Sequence, residues 1–238
     1  MKAGSDIIGH ALQDFMAGDQ EATIRVYSDI SEPDLLPASY FFRNWEQMPE
    51  LEKIALALCR GKVADLGAGA GSHSLYLQAK GLDVTAFDIS RGACSVMKKR
   101  GVEKVTQTNI FDLGPDRFDS ILMLMNGMGL VNSLEGLVYF LERLKKNLNP
   151  GGQVLVDSSD ITYMYYDEEG ALNINLNDDY HGVVTYQMEY KSKKGQPFKW
   201  LFIDFPVLKD YAEKCGYTCT FISEGENDQF LAQLTLNI

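Results

Sequence analysis

The chain has 238 residues and a formal net charge of −11, from 22 Lys and Arg against 33 Asp and Glu. Hydrophobic residues make up 45%, a balance that supports one α/β domain carrying extra segments. The acidic surplus opposes nucleic acid as the main partner. No run approaches the roughly 18 apolar residues of a membrane helix, so no membrane partner is expected. Residues 1–16, interrupted by Asp6, His10, Gln13 and Asp14, do not read as a signal peptide. Cys59, Cys94, Cys215 and Cys219 have no histidine spaced to complete a zinc set, so free thiols, no metal and a cytoplasmic setting are expected.

Residues 1–48 read as irregular: an amphipathic start, the turn Ser31-Glu32-Pro33-Asp34, Pro37, then the aromatic cluster Tyr40-Phe41-Phe42-Arg43-Asn44-Trp45. From Pro49 the punctuation is regular. Leu51, Ile54, Ala55 and Leu58 predict a helix ended by Gly61. A buried strand follows at 63–66, then a glycine-rich turn and a helix from Ser72, its expected cap, to about Lys80. The pattern repeats: strand 83–88, a helix capped by Ser90 and ending near Gly101, strand 104–109, and a long apolar strand 118–126. Asn132 with Glu135 resembles a capping box for a helix whose Leu134, Leu137, Val138, Leu141 and Leu144 share a face. Asn149-Pro150-Gly151-Gly152 stops it before strand 153–158. Such alternation means a parallel sheet covered on both faces. Beyond it, 183–191 and 198–203 predict a hairpin, Asp204 and Pro206 start a helix, and 218–223 with 229–236 form an antiparallel hairpin at the sheet edge.

Val63-Ala64-Asp65-Leu66-Gly67-Ala68-Gly69-Ala70-Gly71 carries the chemistry. Gly67, Gly69 and Gly71 let the backbone turn sharply and approach a ligand, and the next helix offers its N-terminal N–H groups. Asp88 closes the second strand, where a carboxylate accepts hydrogen bonds from both ribose hydroxyls. A dinucleotide fingerprint would need its third glycine at position 72, which is Ser72. Asp65, two residues before the first glycine, would repel a pyrophosphate and suits a cationic ligand.

These features resemble the class I S-adenosylmethionine-dependent methyltransferases. Asp65-Leu66-Gly67-Ala68-Gly69-Ala70-Gly71 is similar to the family's first motif, and Asp88 to the acidic residue after its second strand. Asn109-Ile110 aligns with the third-strand motif, Phe118-Asp119-Ser120-Ile121-Leu122 with the fourth strand, and Leu148-Asn149-Pro150-Gly151-Gly152 with the entry to the fifth. The resemblance runs from about Pro49 to Ile238. It implies a doubly wound, Rossmann-like, seven-stranded sheet, mostly parallel with an antiparallel C-terminal strand. A small β-hairpin insertion at 159–204 and an N-terminal lid at 1–48 would be added to the 49–238 domain. It implies S-adenosylmethionine as cofactor. Gly67, Ala68, Gly69 and Gly71 would pass beneath its methionine part, Asp65 would help hold its cationic groups, carbonyls near Gly67 and Met125 would hold its amino group, and Asn126 would also contact the cofactor. Asp88 would take the ribose, Ile89 would pack on adenine, and Asn109 and Ile110 would read the adenine edge. Asn109 stands where the family more often has Asp.

Asn126 ends the fourth strand, where amide and exocyclic-amine methyltransferases carry Asn-Pro-Pro-Tyr; Asn126-Gly127-Met128-Gly129 lacks both prolines and the aromatic. The acceptor is therefore expected to be a small molecule. Arg43 is a candidate partner for the methionine carboxylate. Asp160, Tyr163 and His181, in the segment after the fifth strand, are candidate acceptor contacts. A nicotinamide-dependent oxidoreductase, a non-catalytic cofactor-binding protein and a protein methyltransferase are the competing readings.

Overall fold

The computed structural model describes residues 6–174 and 179–237. In chain order its elements are α1 (Ile7–Met16), β1 (Thr23–Ser28), β2 (Asp34–Pro37), α2 (Glu50–Leu58), β3 (Lys62–Leu66), α3 (Ser72–Ala79), β4 (Asp83–Asp88), α4 (Arg91–Arg100), β5 (Lys104–Gln107), β6 (Phe118–Met123), α5 (Leu134–Leu144), β7 (Leu148–Ser159), β8 (Val183–Tyr190), β9 (Lys193–Lys194), β10 (Phe198–Leu201), α6 (Phe205–Lys214), β11 (Tyr217–Glu224) and β12 (Gln229–Leu236). Runs of four or more buried residues in β3, β6 and β7 are what strands covered by helices on both faces require.

Those strands form the middle of a seven-stranded sheet ordered β11-β12-β7-β6-β3-β4-β5. Pairing is parallel from β7 through β5 and antiparallel at β12 and β11. Successive residues alternate between two cores. Val63, Leu122, Leu155 and Leu231 pack with Leu51, Ala55 and Leu56 of α2 and Leu77 of α3. Ala64, Ile121, Val154 and Ala232 face the opposite way, onto Leu137, Phe140 and Leu141 of α5 and Leu208 of α6. The fold class is the one the sequence resemblance implied.

Residues 6–48 are more ordered than the sequence suggested. β1 pairs with β2 and with β8, and β8 pairs with β10, so the N-terminal strands and the 159–204 insertion share a second sheet, β10-β8-β1-β2, with β9 attached to β8. Residues 1–5 of the expected lid and 175–178 of the insertion lie outside the described residues. α1 anchors this unit to the main domain. The Asp6 carboxylate accepts from Gly9 N at the start of α1, and from Ser90 Oγ at 2.7 Å and Gly92 N at 2.8 Å at the start of α4. One side chain thereby satisfies orphan N–H groups of two helices. Glycines meet at the crossing: a Cβ on Gly92 would stand 2.5 Å from Gly9 Cα.

Several expected boundaries move. Strand 118–126 ends at Met123, because Met125 and Asn126 adopt φ of 66° and 54°. Strand 104–109 ends at Gln107, and Asn109 instead caps the turn Ile110–Asp112. The cap of α5 is Ser133, whose side chain accepts from Gly136 N, while Asn132 is left-handed at φ 68°. Gly71 rather than Ser72 precedes α3, and the Ser72 hydroxyl donates to Phe41 O at 2.8 Å.

Gly92→Ala is expected to lower stability by about 1–3 kcal/mol, the scale of forced overpacking, as a drop in thermal midpoint. Gly114→Ala, where an added Cβ meets nothing within 4 Å, should stay within about 0.5 kcal/mol. Equal midpoints for the two variants would show that α1 does not bear on α4.

Candidate active site

The loops leaving β3, β4, β5, β6 and β7 meet at the C-terminal edge of the parallel strands, where open α/β sheets bind ligands. Gly67, Gly69 and Gly71 all have positive φ, at 75°, 57° and 82°. Gly67 N and Ala68 N both donate to Phe87 O, fixing the turn against the end of β4. A Cβ on Gly67 would come 2.7 Å from Leu130, and one on Gly69 would come 3.2 Å from Phe41. Glycine is needed here for conformation and for close approach.

Asp88 Oδ2 accepts from Gly69 N at 2.9 Å and Oδ1 from Ser90 N at 2.8 Å. Each oxygen keeps a further lone pair for a diol. Burial pushes the carboxyl up to about 6, against the N–H groups of Ser90 and Gly69. Ile89, next along, is an exposed apolar residue at 52%. Asn109 Oδ1 is taken by Phe111 N at 3.0 Å, capping the Ile110–Asp112 turn.

At the other end of the turn lies a buried charge cluster. Arg43 Nη2 meets Glu52 Oε1 at 2.6 Å, and His73 Nε2 meets Glu52 Oε2 at 2.7 Å. The guanidinium lies 3.8 Å over the Tyr40 ring. Burial opposes charge on Glu52, but the hydrogen bonds and charges of His73 and Arg43 outweigh it and hold the carboxyl below its ordinary value. Burial likewise opposes the His73 imidazolium, and Glu52 with Asp65 nevertheless raises its affinity for the proton. Asp65, fully buried, accepts from Ser74 Oγ at 2.6 Å. Burial raises its carboxyl more than His73 and Ser74 lower it. Arg43, Glu52, Asp65, His73, the glycine turn and Met125 line one cavity of about 20 Å³, roofed by Tyr40 and Phe41. A wider cavity of about 460 Å³ lies behind the Ile110–Asp112 turn, between Phe111, Arg117, Phe140 and Arg143, away from the glycine turn.

Met125 lines the smaller cavity on the β6 side, with Asn126 next in the chain, and Ser159 Oγ donates to Asn126 Oδ1 at 2.9 Å. Beyond Ser159, Asp160 Oδ1 accepts from Thr162 N at 2.8 Å and Thr162 Oγ1 lies 3.0 Å from His181 Nε2. Asp160 and His181 thus meet through Thr162, while the neighbouring Tyr163 is 51% exposed. Sequence reasoning missed Glu52 and Asp157. Glu52 reads as an ordinary first-turn acid of α2. Asp157 ends an apolar strand, and a charge at the end of a buried run was the available signal.

The glycine cradle and the strand-end carboxylate fit an adenosyl ligand with a cationic amino-acid tail. Known proteins agree. Residues 63–152 match the family described as "Methyltransferase domain". The crystal structure of an S-adenosylmethionine-dependent methyltransferase from Bacteroides fragilis, in complex with S-adenosyl-L-homocysteine, is 41% identical. It covers 98% of this chain and 95% of that one, with a TM-score of 0.92. The cypemycin N-terminal methyltransferase of Streptomyces sp is 30% identical over 41% of this chain, and the ubiquinone biosynthesis O-methyltransferase of Rickettsia conorii is 25% identical over 49%. The chain spans 42% and 41% of the length of these two curated relatives. The chain belongs to the S-adenosylmethionine-dependent methyltransferase family. Its cofactor is S-adenosylmethionine.

Glu52→Ala would leave Arg43 and His73 buried without their shared carboxylate. Breaking such a buried set costs about 3–5 kcal/mol, expected as a lowered urea midpoint. Glu52→Gln, which keeps the volume and one acceptor, should lose less.

Proposed function

We propose that this protein transfers a methyl group in line from S-adenosylmethionine to a small-molecule acceptor. The observation that carries this reading is the roof. Phe41 lies against Gly69 and Leu130 against Gly67, and the strand-end cavity under Tyr40 and Phe41 is about 20 Å³, far below the roughly 300 Å³ of small-molecule sites. A ligand enters only if segment 38–45 lifts and recloses. A compact acceptor can be enclosed in that way; a polynucleotide cannot, and the net charge of −11 opposes one as well.

When bound, S-adenosylmethionine supplies an electrophilic methyl on a sulfonium. The rest falls to this chain. Gly67, Ala68, Gly69 and Gly71 pass under the methionine part, with Asp65 and the Met125 carbonyl toward its ammonium. Arg43 offers its remaining N–H groups to the carboxylate, Asp88 takes the ribose hydroxyls, and Ile89, Asn109 and Ile110 bound the adenine. Asn126 faces the acceptor side, where Asp160, Tyr163 and His181 orient the nucleophile. Of the proposed lid, residues 1–48, the described residues 6–48 join the 159–204 insertion through the second sheet and would exclude water from the 49–238 domain.

Incubation with radiolabelled S-adenosylmethionine and a cell extract tests the reading. Label is expected in the low-molecular-mass fraction, with stoichiometric release of S-adenosylhomocysteine. Label confined to protein or RNA would overturn the acceptor class. Asp88 gives a second test. Its ionised carboxylate accepts both ribose hydroxyls, whereas the neutral acid loses an acceptor. Because burial places its titration at about 6, affinity for 5′-methylthioadenosine is present above that pH and falls on acidification through it. The loss is about tenfold, the gap between charge-assisted and neutral hydrogen bonds. Calorimetry with Asp88→Asn should show a flat profile.

A further inference from the structure

Asp157 closes β7 and takes no part in the donor or acceptor contacts proposed above. Its carboxylate is 1% exposed, a position where charge has to be compensated. Its partners are N–H dipoles. Oδ2 accepts from Met125 N at 3.1 Å and from Gln229 Nε2 at 3.2 Å, and Oδ1 accepts from Gly127 N at 3.1 Å. Asn126 lies between the two gripped backbone groups. Met125 and Asn126 both sit at positive φ, a conformation that is strained for non-glycine residues. It persists only where the surroundings enforce it. Here the enforcing groups are Asp157 and, through its bond to Asn126, Ser159.

We propose that Asp157 is a positioning residue: by gripping the N–H groups on either side of Asn126, it fixes the left-handed turn on which the donor's amino-acid end and the acceptor meet. This rests on the placement of Met125 and Asn126 under the proposed function. Only the carboxylate has acceptors for both sides of the turn. An amide, or the protonated acid, presents a donor to one of the two N–H groups. The groups facing Asp157 are Glu52 from α2, whose charge disfavours its ionisation, neutral Gln229 from β12, and the N–H groups of Met125, Asn126 and Gly127 from the turn. Burial, with Glu52, pushes the carboxyl up to about 6. The grip is present above that pH and is lost as pH falls through it. Arg43, Asp65 and His73 lie at the same end of the pocket, so the test must separate Asp157 from them.

Calorimetry with two ligands, repeated in Asp157→Asn, does so. S-adenosylhomocysteine carries the amino-acid end; 5′-methylthioadenosine carries only the adenosyl part and reports Asp88 and the adenine wall. In Asp157→Asn, affinity for S-adenosylhomocysteine is expected to fall about tenfold, the loss of one charge-assisted hydrogen bond. Affinity for 5′-methylthioadenosine should hold within about twofold. In the unaltered protein the ratio of the two affinities should drop as pH falls through about 6, and in Asp157→Asn the ratio should be flat. Gln229→Leu keeps the turn contacts but removes one donor to the carboxylate, so the drop in the ratio should move to higher pH. Equal losses for both ligands, as a loosened fold gives, would overturn the proposal. So would unchanged S-adenosylhomocysteine affinity, or a pH-dependent ratio that survives in Asp157→Asn. S-adenosylhomocysteine failing to bind the unaltered protein would overturn the cofactor placement, and this proposal with it.

Discussion

Carboxylates that accept backbone N–H groups hold the strand-end loops of this protein. A loop that must bring its backbone against a ligand cannot be covered by side chains, so its N–H groups need acceptors supplied from neighbouring strands. Asp88, at the end of β4, accepts from the β3 turn at Gly69 and from its own loop at Ser90. Asp157, at the end of β7, accepts from the β6 turn at Met125 and Gly127. Each carboxylate ties one strand's loop to the adjacent region of the sheet, so the relative position of the two sides of the cavity is set by the sheet register. Both lie where the low-dielectric interior strengthens the hydrogen bond and penalises its loss. Both carboxyls are pushed to about 6 for the same reason.

The second sheet and its flanking segments join this frame through apolar packing and specific polar contacts: Leu12, Phe41 and Phe42 pack with Ala70, Ala93 and Val96, and Leu201 and Ile203 enter the main core. Asp6 caps α1 and α4 together, Gly9 and Gly92 bring the two helix backbones into contact, and Arg43 joins the segment before α2 to Glu52 within it. Trp200 of β10 lies so close over Gly129 that no Cβ fits there. Phe41 and Leu130 lie directly against the glycine loop at Gly69 and Gly67.

What could be read from the sequence follows the range of the interactions. The α/β alternation, the glycine turn, Asp88, the terminal hairpin and the caps at Ser90 and Asp204 all depend on residues a few positions apart, and periodicity exposes them. The second sheet depends on contacts such as that of Tyr27 OH with Glu189 Oε2, separated by 162 positions. Local pattern does not report them, so residues 1–48 looked irregular. The end of β6 and the cap of α5 escape local pattern because the turns put positive φ on non-glycine residues, Met125, Asn126 and Asn132. The individual placements on the donor side came from motif order. The cluster around Glu52 could not, because its members come from three separate elements and pair only in the folded chain.

Charge at the cavity has a further consequence. Glu52 and Asp65 line it and are buried, with Asp157 buried and Asp88 half-buried nearby, while Arg43 pairs with Glu52 and the shared contacts favour the protonated form of His73. The methionine end of the donor brings a sulfonium, an ammonium and a carboxylate, so an acid-rich lining suits two of its three charged groups. The carboxylate is the exception, and Arg43 already spends Nη2 on Glu52. With its charge balanced there, Arg43 offers a carboxylate chiefly the geometry of its unused N–H groups, held flat by the Tyr40 ring at 3.8 Å. An ammonium on a flexible stem would satisfy Glu52 equally well but would have neither the fork nor the stacking face. Under the proposed placement of the donor, arginine at position 43 would serve two carboxylates with one planar cation, a requirement that charge alone does not impose.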